Sequence, residues 1–264
     1  MVNSDLGGVM MRIDYNPSNL DKVDILTIDQ KSVIETLNKK YSLEKLLSVD
    51  RNMKYLSIDF IHASAQIEGN TYTKYDTERL LMEGQTSGEK KYSDARMIVN
   101  LRDAFDFILS KSWNLDRAFL FNLHMIIANG ELQTSSLGTV RKESVLITGT
   151  NYIPSHNPEH LSAELKYFFE VFNKISNPTE KAIYAHLKLA YLQYFMDGNK
   201  RTARMFQTAV MVGHDLIPLL FNETAVKEYG TALIHYYETG DTKPYAVWFV
   251  QEYVDLFDKL LPQR

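Results

Sequence analysis

Residues 193–204 read Gln193-Tyr-Phe-Met-Asp-Gly-Asn-Lys-Arg-Thr-Ala-Arg204. An apolar helical pattern (Ala182, Leu187, Leu189, Ala190, Leu192) runs up to Phe195, and a second (Ala203, Phe206, Ala209, Val210, Val212) begins just past Gly198-Asn199. The turn between them therefore sits at a helix N-terminus, where free backbone N–H groups and the helix dipole attract anions. Arg201 and Arg204, spaced i, i+3, share one face of that helix. Asp197, beside the turn, is an oxygen donor suited to a magnesium ion shared with phosphates. The stretch predicts two helices that meet at a cradle for a polyphosphate.

Outward from this turn, helical periodicity dominates. Helices are predicted over 28–47, 51–68, 74–83, 92–110, 115–128, 158–173, 178–192, 199–213, 223–238 and 243–260. Gly84, Gly130 and Gly240 fall where C-terminal caps belong. Asn157-Pro158 and Asn177-Pro178 each place a capping asparagine before a proline at the first helical position. Residues 1–27 read as irregular, with room for a short strand. Val140–Ile153 is rich in β-branched residues around Gly149-Thr150-Asn151 and predicts a β-hairpin. Such a hairpin must lean on the helices to persist; a plain connecting hairpin is the alternative. The expected class is all-α with one β-hairpin, and no internal repeat is visible.

Composition narrows the function classes. The chain has 264 residues, 45% hydrophobic and 12% aromatic, which supports a large core and argues against disorder. Its net charge of −4 comes without a basic tail or stripe, so nucleic acid is not an expected partner. Cysteine is absent, which removes disulfide and thiol chemistry and fits a reducing compartment. Met1-Val-Asn-Ser-Asp-Leu-Gly-Gly lacks the features of a secretory leader. The longest apolar stretch, 209–221, is broken by His214, Asp215 and Pro218, so no membrane span is expected. The expectation is a soluble cytoplasmic protein.

The 193–204 stretch resembles the signature of Fic proteins, His-x-Phe-x-(Asp/Glu)-Gly-Asn-(Gly/Lys)-Arg-x-x-Arg. Every defining position matches except the first, where the family has its catalytic histidine and this chain has Gln193. A second match lies upstream: Ser64-Ala-Gln-Ile-Glu68-Gly69-Asn70 resembles the family's inhibitory motif, (Ser/Thr)-x-x-x-Glu-(Gly/Asn). The resemblance implies one Fic-type domain over 1–264: an N-terminal extension and helices (1–59), a core with its inhibitory helix (60–210), and C-terminal helices (211–264). It also implies AMP transfer from ATP, with Mg2+, to a hydroxyl of a target protein, with a homodimer as a further possibility.

In that reading Asp197 coordinates the metal, and Gly198 and Asn199 form the anion hole. Arg201 holds the β- and γ-phosphates, Arg204 the γ-phosphate, and Phe195 anchors the loop. Lys200 takes the lysine form seen in Doc-like relatives, which phosphorylate their targets. Ser64 and Glu68 form the brake, Glu68 pairing with Arg204 where the γ-phosphate would sit; one guanidinium cannot serve both anions fully. The hairpin, through Ser144, Val145, Leu146, Ile147, Thr148 and Gly149, aligns the target segment by strand addition.

Gln193 decides how much chemistry survives. An amide orients a hydroxyl but cannot take its proton, and losing a positioned base costs ~10²–10⁴-fold in rate. His186 lies two helical turns earlier, about 10 Å along the axis, too far to replace it. Tyr194, in place of the family's usual proline, is a poor base at neutral pH. The chain therefore reads as a nucleotide-binding protein with weak or no AMP transfer. A non-catalytic partner-binding regulator and a Doc-like phosphotransferase stay open. His156-Asn-Pro-Glu-His160 has the letters of a zinc motif, but Pro158 starts its helix and leaves His156 outside it. His62, His124, His214 and His235 read as structural. The aromatic run from Tyr236 to Phe257 reads as core first and a partner surface second.

Overall fold

The computed structural model describes residues 12–48 and 50–260; residues 1–11, on which the reading of the leader and part of the irregular stretch fall, lie outside the described residues. Eleven α-helices carry the described chain: α1 (Ile28–Lys40), α2 (Leu43–Leu47), α3 (Asp50–Gln66), α4 (Lys74–Glu83), α5 (Tyr92–Leu109), α6 (Arg117–Ile127), α7 (Pro158–Phe172), α8 (Pro178–Leu192), α9 (Asn199–Gly213), α10 (Val226–Thr239) and α11 (Lys243–Leu260). The mostly helical class is as expected. Asn157 and Asn177 cap α7 and α8 with their side chains, and Gly84 and Gly240 end α4 and α10 in the left-handed conformation.

The predicted helix over 28–47 is two helices. Tyr41 is extended (φ −147°, ψ 128°), and the Ser42 side chain accepts from Lys45 N–H to start α2. A serine cap following a lysine-rich last turn, Lys39-Lys40, is a stop and a start in succession.

α8 is buried on every face from Thr179 to Leu192, Lys181 excepted, as befits a helix apolar almost all round. It packs along α9; α5 and α6 pack on α9, α7 covers α8, and α10 packs on α11. An N-terminal strap, residues 12–27, crosses α8. Glu180 holds it by accepting from the N–H groups of Ile25 (3.1 Å) and Leu26 (3.0 Å), and Tyr184 by donating to Leu20 O (3.0 Å).

The expected hairpin over 140–153 does not form. The two-stranded sheet pairs β1 (Ile13–Asp14) with β2 (Tyr152–Ile153) in parallel, Ile13 opposite Tyr152. A turn with Gly149 at φ +85° is present, but the arm after it is claimed by remote partners and the arm before it is left unpaired among the described residues. Arg141 donates to the carbonyls of Glu143, Ser155 and Gln193, pinning one arm to the other and to the end of α8. Glu238 of α10 accepts from Thr150 Oγ1 (2.8 Å) and Asn151 N–H (3.0 Å). Among the described residues no backbone hydrogen bond engages 144–149. Also among the described residues, no helix is long and apolar enough to cross a membrane.

Candidate functional site

The turn between α8 and α9 is built by its own side chains. Asn199 Nδ2 donates to Phe195 O (2.8 Å), and its Oδ1 accepts from Phe195 N–H (2.8 Å), closing residues 195–199 into a ring. Gly198 takes the left-handed conformation (φ +74°) before α9. A β-carbon there would meet only ordinary contacts, the nearest 3.6 Å away, so glycine is demanded by backbone angle rather than by space. The first helical bond runs from Thr202 N–H to Gly198 O (2.8 Å), which leaves the N–H groups of Asn199, Lys200 and Arg201 ahead of it.

Behind the turn, Phe195 is buried and stacks on His124 with ring centroids 3.8 Å apart. His124 Nδ1 accepts from Gly138 N–H (2.9 Å), so Nε2 carries the proton and donates to Asp197 O (3.0 Å). Burial, aided by the Arg201 charge, pushes this imidazole down to about 4. It is a neutral prop for the turn.

Arg204 is the best-satisfied charge of the site. Its Nε donates to Ser64 Oγ (2.8 Å) and its Nη2 to Ser64 O (3.1 Å) and Glu68 Oε1 (2.8 Å). Its Nη1 donates to Tyr229 OH (3.1 Å), whose own proton is free to reach His186 Nε2 (3.2 Å). Glu68, in the turn after α3, also faces Lys200 Nζ at 3.3 Å. Burial works against its charge, but Arg204, Lys200 and Arg201 outweigh it and hold the carboxyl below the usual range. The two sequence motifs, 140 residues apart from Ser64 to Arg204, thus meet in one hydrogen-bonded cluster.

Two more residues at the turn have other partners than a ligand. Arg201 gives Nη1 to both oxygens of Glu131 (2.9 and 2.7 Å). Gln193, left-handed at φ +49°, caps α8 and folds its amide back so that Nε2 donates to Ala190 O (2.7 Å). Tyr194 is buried, its hydroxyl accepting from Arg117 (3.3 Å).

A cavity of about 210 Å³ opens over the turn, lined by Glu68, Val145–Thr148, Gln193 and Met196–Lys200. A second of about 390 Å³ shares Ile147, Thr148 and Lys200 with it and continues between apolar side chains of α10, including Leu233 and Ile234. Four residues of the 144–149 segment, Val145–Thr148, therefore face the turn before α9, while the expected Ser144 and Gly149 do not line the cavity; Leu146 is 82% exposed. Asp197 enters the cavity with a carboxylate 65% exposed, a hard oxygen donor within reach of any ligand there. His156 is exposed outside α7, while His160 is in α7 with Nδ1 bonded to Ser155 Oγ (2.8 Å).

Sequence reasoning missed Glu131, Arg141, Asn100 and Tyr229. Asn100 alone left a signal, a polar residue on a face otherwise made by Ala95, Ile98, Leu101 and Ala104. Its partners, the carbonyls of Ile127 (3.1 Å) and Asn129 (2.9 Å), are on another helix end.

Residues 114–211 match the Fic/DOC family model. The chain is similar to the protein adenylyltransferase fic-1 of Caenorhabditis elegans, 25% identical over 233 residues, 84% of this chain and 45% of that protein. It is also similar to the protein adenylyltransferase Fic of Nematostella vectensis, 25% identical over 235 residues, 86% of this chain and 52% of that protein. The chain spans about half the length of the curated relatives it matches. Its fold is that of Fic-1 from C. elegans (TM-score 0.71, 20% identity, 88% of this chain and 70% of that one). A Fic family protein from Desulfovibrio desulfuricans G20 shares it too (TM-score 0.77, 16% identity, 89% and 75%).

Proposed function

We propose, from the premise that this chain carries a Fic/DOC family domain at residues 114–211, that it binds a nucleoside triphosphate over the α9 start and is held in an inhibited state by Glu68. The observation that carries this reading is the sharing of buried Arg204 between Ser64 and Glu68, of which Glu68 lines the cavity. The relatives' names, protein adenylyltransferase, support ATP as the substrate and AMP as the group moved. Transfer joins a target hydroxyl oxygen to the α-phosphorus, breaks the α–β anhydride bond and releases pyrophosphate; the hydroxyl proton needs an acceptor.

The residues present fit the triphosphate and its metal. The N–H groups at the α9 start and Lys200 face the cavity, and the adjoining apolar pocket suits a base. Asp197 would hold Mg2+, which screens phosphate charge when bound; one carboxylate plus phosphate oxygens is an ordinary magnesium site. Glu68 must leave Arg204 before a γ-phosphate can take its place. Gln193 offers no basic atom, and one N–H of its amide is held by Ala190 O, so proton removal is the step this chain lacks. The unpaired backbone of 144–149 suits an extended segment of a target protein.

Titration calorimetry with MgATP tests the brake: Glu68→Gly should bind at least about tenfold more tightly than the parent, a hydrogen-bonded charge pair being worth that much. Adding Gln193→His should restore self-labelling from ATP radioactive at the α-phosphate. Equal affinity in parent and Glu68→Gly overturns the brake. Tight binding with an inert double variant makes the chain a nucleotide-binding regulator, and label carried from the γ-phosphate makes it a phosphotransferase.

A further inference from the structure

Arg201 is 3% exposed, and a guanidinium so enclosed needs a countercharge. Glu131 supplies it, taking Nη1 with both oxygens at 2.9 and 2.7 Å. Asn100 of α5 steadies that carboxylate. Its Nδ2 donates to the carbonyls of Ile127 and Asn129 and lies 3.4 Å from Glu131 Oε1. A buried amide thus fixes the loop after α6, the loop carries the carboxylate, and the carboxylate fixes the guanidinium.

The opposite edge of Arg201 is left for something else. Nη2 is 3.7 Å from Asp197 Oδ1 and would be 3.8 Å from a β-carbon on Gly198, so it lies under the turn. Nε is buried with no hydrogen-bond partner among the described residues. An orphaned donor of this kind is uncommon in a native interior. Here it sits below the helix start whose N–H groups collect anions.

We propose that Glu131 is a positioning residue: by gripping Nη1 it presents the Nε–Nη2 edge of Arg201 to a phosphoryl group seated on the Gly198 turn. This rests on the triphosphate reading above. Glu131 is then no second brake, because it occupies the edge away from the turn. Its loss leaves Arg201 free to swing and, being buried, costly to keep charged.

Calorimetry in the Glu68→Gly background separates the possibilities. Glu131→Gln keeps the side-chain shape and should weaken ATP and ADP about tenfold while leaving AMP unchanged; Glu131→Asp should recover part of the loss. Equal weakening of all three ligands marks a merely structural role, and tighter ATP binding marks a competitor; either overturns the proposal. Thermal midpoints identify a variant that fails to fold, in which case Glu131→Asp carries the comparison alone. A second readout needs no nucleotide. The Arg201 Nε–H proton resonance, assigned by its loss in Arg201→Lys, should be sharp in the parent, shift on adding inorganic pyrophosphate, and broaden in Glu131→Gln. If Glu68→Gly binds no ATP, the triphosphate reading fails, and this resonance alone decides the role of Glu131: a line equally sharp in Glu131→Gln, or unmoved by pyrophosphate, overturns it.

Discussion

Two buried histidines make the site sensitive to acid. His124 sits at about 4 and His186 at about 3, both pushed down chiefly by burial, with the nearby arginines adding to it. The unfolded chain takes up a proton near pH 6.5 that the folded chain refuses, so stability is full above that pH and falls as pH drops toward 4. Each should cost about 2 kcal/mol between pH 7 and pH 5. Urea titrations at the two pH values check this; His124→Asn should remove about half of the difference, and an unchanged slope would show that the imidazole titrates normally. At this scale, what the sequence discloses depends on the motif. Glu68 and Arg204 are legible because each lies in a recognisable string. Glu131 is not, since its partner Arg201 is 70 residues away and nothing local marks the carboxylate. Gln193 is legible as an amide that ends the α8 pattern, but its left-handed backbone and its bond to Ala190 O are not.

The segment over the cavity shows where composition misleads. β-branched residues around Gly149 are compatible with a hairpin, and the turn is there, but the ladder is not. Strand pairing is settled by competition for backbone groups: Glu238 takes the Asn151 N–H and β1 takes Tyr152–Ile153, neither predictable as a partner, so the 144–149 arm is left without a ladder among the described residues. The helices were far more legible, because caps such as Asn177, which accepts from Thr179 and Glu180 N–H at 3.0 Å each, are local chemistry. Removing one anchor should loosen the segment alone. In Glu238→Ala the Asn151 amide, which loses that acceptor, should exchange with deuterium at least about tenfold faster, while amides of α8 keep their protection. Unchanged exchange at Asn151 would mean that β1 alone holds this end of the segment.

Across the whole molecule, α8 is the member on which everything rests, and its apolar pattern announced a helix without revealing that all its faces are covered. Lys188 is the anomaly within it. It is fully buried, donates to Asn19 O, lies over the rings of Tyr184 and Tyr236, and is brought down to about 7 by burial, with Lys22 adding to it. The unfolded chain keeps a proton up to about pH 10.5 that the folded chain has released, so stability rises with pH across that window. Between pH 7 and pH 9.5 the gain should be about 3 kcal/mol in urea titrations, and Lys188→Met should abolish it. A flat profile in the parent would place the ammonium in water. The strap that covers Lys188 also has a bearing on biosynthesis. Ile13 finds its ladder partner only at Tyr152, roughly 140 residues later; at about 5–20 residues per second the ribosome makes that partner some ten seconds afterwards. During that interval the Ile13–Asp14 edge has no ladder partner, so this end of the strap takes its final place only after Tyr152 has emerged.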